Sequence, residues 1–169
     1  MYFVTICTYH RELIFGNIRD GEVQLNKLGN IVDQQWRDIP NRYLNVQLDQ
    51  FVIMPNHVHG IIHIVGAQFI APNDVDAPKR QGAINRAPTL GNIIRTFKAL
   101  ATCQIHRQTD RVEPIWQRNY HDHIIRNEKS LHVIRQYILN NPSNWDLDPE
   151  NPTNNNRPLH SLTFPEILL

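Results

Sequence analysis

The order of elements read along the chain, β-α-β-β-α-β-α, predicts an α+β fold: a ferredoxin-like antiparallel sheet (β-α-β-β-α-β) carrying one added C-terminal helix. Three observations support this. Runs of β-branched and aromatic residues stand at 2–9, 45–54 and 57–65. Two segments with helical spacing, 25–38 and 89–107, lie between strands as crossovers. The turn Pro55-Asn56 joins the second and third strands so closely that they must form an antiparallel hairpin.

The first strand is YFVTICTY, residues 2–9, where apolar positions alternate. A strand opening at residue 2 implies that any upstream segment is very short or missing. In LNKLGNIVDQQWRD, residues 25–38, Leu25, Leu28, Val32 and Trp36 recur near helical spacing, and Pro40 ends that helix. Residues 67–88 show no period and contain three prolines and Gly82, which predicts a long mobile loop. Helical spacing resumes with Leu90, Ile93, Ile94, Phe97, Leu100 and Ala101, behind Thr89 as N-cap. Residues 114–126, PIWQRNYHDHIIR, predict a kinked strand region. Asn127 caps a last helix over 128–140, with Glu128 placed favourably in its first turn and Pro142 beyond its end. The polar stretch 146–158 reads as loop. No internal repeat is present, and the organisation reads as one domain over 1–145, with a loop at 67–88, and a tail over 146–169.

A chain of 169 residues is long enough for one compact domain with a real core. Hydrophobic residues make up 41% and charged residues 20%, an ordinary globular balance that excludes a disordered or fibrous class. The net charge of +1 neither demands nor excludes a nucleic-acid partner, so local placement of Lys and Arg must decide. Cys7 and Cys103 form no CxxC pair and read as reduced thiols. No apolar run is long enough for a membrane span, and no basic segment precedes an apolar one at the N-terminus. The expectation is a cytoplasmic protein without a membrane partner.

Chemistry concentrates in FVIMPNHVHGIIHIV, residues 51–65. Strand side chains alternate, so His57 and His59 project from one face with Cα atoms roughly 6–7 Å apart, a spacing at which two imidazoles can chelate one metal. The plain alternative is two half-exposed polar residues beside a turn. Val58, Ile61 and Ile62 argue instead for a buried strand, where imidazoles need partners. His63 shares the face but lies about 13 Å from His59 along the strand, too far to share a metal. The scattered cysteines argue against a structural zinc site. On the last helix Tyr137 and Asn141 share a face, beside the apolar stripe Leu131, Ile134 and Ile138. That spacing can aim both at the histidines, or it can mean a core tyrosine and a C-cap asparagine.

MPNHVHG (54–60) is similar to the HUH signature, two histidines separated by a bulky apolar residue, of single-tyrosine HUH transposases. WQRNYHDHIIRNE (116–128) followed by RQYILNNP (135–142) resembles the branch called REP-associated tyrosine transposases, and FVTICT near the start fits as well. The resemblance runs over roughly residues 2–145. It implies that His57 and His59 bind a divalent metal, magnesium or manganese. It further implies that Asn141 is a third, amide ligand and that Tyr137 is the nucleophile. His123 matches a histidine that recurs in the branch, bonding within the site or to DNA. The activity implied is cleavage and rejoining of single-stranded DNA at hairpins through a 5′-phosphotyrosine, by a monomer or a homodimer. On ligand softness alone, two imidazoles suit zinc or manganese better than magnesium.

A DNA site needs cations and stacking surfaces. Arg95 and Lys98 lie at i, i+3 on the second helix, Arg118 and Arg126 flank Tyr120 and His123, and Lys79, Arg80 and Arg86 lie in the predicted loop. Trp116 and Tyr120 could stack bases. The same residues also read as a solvated helix face, a charged loop and core aromatics. Two rival functions stay open. One is a domesticated protein that binds hairpin DNA without cutting it. The other is a small metallohydrolase using His57, His59, His121 and His123, since HDH at 121–123 repeats the H-x-H spacing.

Overall fold

The structure, a computed structural model, describes residues 1–65, 88–148 and 150–153. Its centre is a four-stranded antiparallel sheet of β1 (Tyr2–Cys7), β4 (Val46–Ile53), β5 (His57–Ile64) and β6 (His121–Ile124), in the order β4-β5-β1-β6. The interior neighbours are thus β1 and β5. This is the predicted α+β arrangement.

The sheet separates two apolar layers, and the strand alternation decides which residue enters which. Val4, Ile6, Val58 and Ile62 face α1 (Lys27–Arg37), the short α2 (Ile39–Arg42) and α3 (Leu90–Gln108), where Trp36, Phe97, Ile93 and Ile94 are fully or almost fully buried. Phe3 and Ile61 face the other way and form a smaller cluster with Leu131, Ile134 and Ile138 of α4 (Glu128–Asn140). Because β5 is apolar on both sides, it reads as an almost continuous hydrophobic run, and His57 and His59 within it are buried, whereas His63 near its end is half-buried.

The caps act as the sequence predicts. Thr89 Oγ1 accepts from the Asn92 backbone N–H at 3.2 Å, and Asn127 Oδ1 accepts from that of Ser130 at 2.8 Å. The first helix starts at Lys27 rather than at residue 25, because Asn26 Oδ1 caps it by accepting from the N–H groups of Leu28 and Gly29. α4 is fastened to β4 at its rim by Arg135, whose guanidinium donates to both oxygens of Asp49 at 2.8 and 2.5 Å.

Three expectations are corrected. A hairpin of β2 (Gly16–Arg19) and β3 (Glu22–Leu25) stands between β1 and α1, turning at Asp20-Gly21, both with positive φ (53° and 76°). The kinked strand expected over 114–126 is regular only at β6; upstream of it, Trp116 makes one isolated bridge to Thr8. Beyond α4 the chain makes a 3-10 turn, Trp145–Leu147, and then buries Asp148 and Asn151 rather than running over the surface as plain loop. The predicted loop at 67–88, with Lys79, Arg80 and Arg86, lies outside the described residues apart from Pro88.

Candidate metal and nucleophile site

The histidine pair is presented by β5 towards the α4 side of the sheet. In the ladder with β1, His57 stands opposite Cys7 and His59 opposite Thr5, so the two rings lie side by side, 4.3 Å between centroids. They are 0% and 2% exposed. Each ring is held by a hydrogen bond at Nδ1: His57 to Asn56 Oδ1 at 2.8 Å, His59 to Thr5 Oγ1 at 2.9 Å.

Tyr137 reaches the pair from α4. Leu131, Ile134 and Ile138 seat the helix on Phe3 and Ile61, and the tyrosine then places its hydroxyl 3.3 Å from His59 Nε2. Its ring meets Phe3 edge-on at 6.1 Å, while His59 stacks on Phe3 at 5.3 Å. Asn141, the C-cap of α4, is 3% exposed and donates from Nδ2 to Asp148 Oδ2 at 2.8 Å. The other oxygen, Asp148 Oδ1, accepts from the Glu150 backbone N–H at 2.5 Å.

His57, His59 and Asp148 each offer a ligand atom, and these atoms lie within 4.8 Å of one another. Two buried atoms here, His57 Nε2 and Asn141 Oδ1, have no hydrogen-bond partner. Buried lone pairs left unmatched are costly, and a divalent cation satisfies them. Two imidazole nitrogens with carboxylate and amide oxygens form a donor set that a manganese-like ion accepts. The residues therefore fit a metal.

Electrostatics point the same way. Burial holds His57 neutral, pushing its pKa well below the usual histidine range; the neighbouring His59 and the Arg11 guanidinium add to this, and the nearby Asn141 amide opposes it. Burial takes His59 down to about 3. Neither imidazole is a cation at neutral pH, so neither opposes a metal by its charge. Tyr137 is pushed the opposite way, well above the usual phenol range, first by burial and then by the Asp148 carboxylate, against a lowering contribution from Asn141. The phenol therefore keeps its proton unless positive charge arrives beside it.

The structure brings His57, His59, Tyr137 and Asn141 together. It does not bring in the second H-x-H pair. His121 and His123 are on β6, with His121 opposite Thr5 on the far side of β1 from His59; neither joins the ligand cluster found among the described residues. Two of the residues read as DNA contacts are otherwise engaged. Trp116 is 9% exposed and packed between Phe15 and Phe97, 5.2 and 5.5 Å away, so its faces are not open to a base. Lys98 donates from Nζ to the carbonyls of Gln117 and Asn119 at 2.8 and 2.9 Å, which fixes the chain ahead of β6. With Arg95 it belongs to α3, on the face turned away from the histidines. Arg95 is exposed and donates to Asn92 Oδ1; Arg118 and Arg126 are exposed; Tyr120 is half-buried against the core.

Asp148, Asn56 and Thr5 were not read as site residues. Asp148 had no signal, since it lies in an aperiodic polar stretch and reaches the histidines only through tertiary folding. Thr5 had a weak one, as a polar residue inside an apolar strand.

No family model matches the chain. It is 43% identical over 150 residues to an uncharacterized protein of Haemophilus influenzae, covering 87% of this chain and 82% of that one. Among solved structures it superposes on a REP-associated tyrosine transposase bound to a REP hairpin, with a TM-score of 0.57 and 16% identity, over 85% of this chain and 67% of that one. At that identity the likeness shows a common fold.

Proposed function

The chain belongs to the same family as that Haemophilus influenzae protein, and we propose that it is a metal-dependent transposase that cleaves and rejoins single-stranded DNA at hairpin sites. The observation that carries this is the meeting of one phenol with two buried neutral imidazoles: Tyr137 is 3.3 Å from His59, and His57 and Asp148 lie in the same cluster. The fold shared with a transposase that holds a REP hairpin supports hairpin DNA as the substrate class.

In this reading His57, His59 and Asp148, with the Asn141 amide oxygen, hold magnesium or manganese. A cation there supplies the positive charge that offsets both the substrate phosphate and the developing phenolate. Tyr137 attacks phosphorus in line with the leaving oxygen. The phenol gives up its proton to solvent as a Tyr–O–P bond forms, the bond from phosphorus to the 3′ oxygen breaks, that oxygen takes up a proton, and the DNA remains attached as a 5′-phosphotyrosine. Rejoining reverses these bonds, and because the phosphodiester energy is retained it needs no nucleotide cofactor. Phe3 keeps the phenol and His59 in fixed relative orientation, and the apolar packing of α4 excludes bulk water behind them. The catalytic unit spans 1–145 together with the Asp148 segment. Arg118, Arg126, Tyr120 and His123 remain the DNA contacts of this proposal, and it places the protein in the cytoplasm.

The test incubates wild type and Tyr137→Phe with Mn²⁺ and single-stranded oligonucleotides carrying hairpins from DNA beside the gene, and looks for a covalent protein–DNA adduct on a denaturing gel. An adduct formed by wild type alone and lost with chelator supports the proposal. Hairpin binding by both proteins without an adduct replaces it with the non-cleaving binder. The absence of both binding and adduct overturns it.

A further inference from the structure

Asn56 is the last residue of the turn before β5, 0% exposed, and its amide makes three contacts. Nδ2 donates to the carbonyl of Glu150 at 2.7 Å and to that of Arg11 at 3.2 Å. Carbonyl oxygens only accept, so this end of the amide must be the NH₂. The opposite end, Oδ1, lies 2.8 Å from His57 Nδ1. An amide oxygen also only accepts, so His57 Nδ1 must carry the hydrogen. A neutral imidazole has one N–H, and Nε2 is then a bare lone pair. That same Nε2 is buried and without a hydrogen-bond partner. Reversing the amide would set an oxygen against two carbonyl oxygens and leave three buried groups mismatched.

We infer that Asn56 is a positioning residue that locks His57 in its Nδ1–H tautomer and so turns the Nε2 lone pair towards a divalent cation. The claim about the tautomer stands on the amide geometry alone; the claim about the cation rests on the metal reading above. The acceptors that orient Asn56 come from two distant places. Arg11 lies just after β1, with its backbone in the left-handed region at φ 57°, and Glu150 lies beyond the 3-10 turn that follows α4. An Arg11–Glu150 ion pair joins them. The segment after α4 therefore acts on the histidine in two ways: Asp148 joins the ligand cluster, and the Glu150 carbonyl sets the amide that sets the ring.

Two measurements test this. Long-range ¹H–¹⁵N correlation on metal-free wild type at neutral pH reads the His57 tautomer directly and needs no variant. Nδ1–H alone is expected; Nε2–H, or a mixture, overturns the inference. Mn²⁺ affinity is then measured by electron paramagnetic resonance for wild type, Asn56→Ala and Asn56→Asp. Removing the partner of a metal-binding histidine typically costs about 10–100-fold in affinity. Asn56→Ala is expected to lose that much and to show mixed tautomers, while Asn56→Asp keeps an acceptor at Nδ1, and so the tautomer, but sets a second oxygen against the Glu150 and Arg11 carbonyls and is expected to lose stability rather than to restore affinity. An Asn56→Ala protein with unchanged tautomer and affinity overturns the inference. Wild type that shows Nδ1–H but binds no Mn²⁺ overturns the metal reading and leaves the tautomer assignment standing.

Discussion

Adding one methyl group to Gly60 should destabilise the sheet beside the histidines. Gly60 follows His59 in β5 and points to the opposite face, where the Trp36 indole lies against it. A Cβ built there would stand 2.3 Å from Trp36 Cζ2, 3.0 Å from Cε2 and 3.1 Å from Cη2. Ordinary carbon contacts are roughly 3.5–4.0 Å, so either the indole or the strand must shift by about 1 Å. The indole is poorly placed to do so: Trp36 is 0% exposed and set edge-on against Phe97 at 5.1 Å. Overpacking of this kind costs about 1–3 kcal/mol, and at about 2–4 °C per kcal/mol for a chain of this size Gly60→Ala should melt about 2–12 °C below wild type. Thermal melts of four proteins form the assay: wild type, Gly60→Ala, Trp36→Leu and the double variant. In the Trp36→Leu background the methyl enters space left by the indole, so Gly60→Ala should be neutral or stabilising there. Melting of Gly60→Ala within a degree of wild type, or an equal loss in both backgrounds, would refute the argument.

Further predictions concern the metal, pH and α4. With free Mn²⁺ at about a hundred times its dissociation constant, binding to the folded state alone should add about 2.7 kcal/mol, a rise of about 5–10 °C in melting temperature that His57→Ala removes and a chelator reverses. Both imidazoles stay neutral in the metal-free fold, His59 down to about 3, whereas in the unfolded chain they titrate near 6.5. Below that value the unfolded state binds protons that the folded state refuses. Stability should therefore be complete above about pH 7 and fall as pH drops, by up to about 1.4 kcal/mol per pH unit for each ring. Urea midpoints that do not change between neutral and mildly acidic pH would contradict this. Ile134→Ala, which removes a residue 1% exposed from the layer that seats α4, should cost about 2–5 kcal/mol by chemical denaturation.

What could be read from the sequence was whatever depended on local order. α4 runs from Glu128 to Asn140 because Asn127 caps it and the Leu131–Ile134–Ile138 stripe defines its buried face, and both are visible in one short window. The β4–β5 hairpin was visible for the same reason. The β2–β3 hairpin was missed although Asp20-Gly21 is a hairpin dipeptide, because its flanking strands are short and only half-buried. Asp148 was out of reach, since a polar residue in an aperiodic stretch shows no sign of the strand it will fold against. Trp116 illustrates the opposite limit. An aromatic between charged residues can stack a base or fill a core, and only the positions of Phe15 and Phe97 decide which.

The two apolar layers divide the site between parts of unequal firmness. The imidazoles belong to β5, an interior strand with a neighbour on each side and packed side chains above and below. Tyr137 belongs to a single helix that rests on the smaller layer and is tied at its rim by Asp49 and Arg135. Local opening begins where apolar contact is thinnest, so amide protons of α4 should exchange with solvent before those of β5, as native-state hydrogen exchange would read. An excursion of that helix would carry the phenol and Asn141 away while the two histidines stay in place on β5. A strand too bulky to slip between Tyr137 and His59 in the closed state gains a route in through such an excursion, and because Asn141 caps that same helix, the amide side of the ligand cage opens with it while the two imidazoles stay on β5.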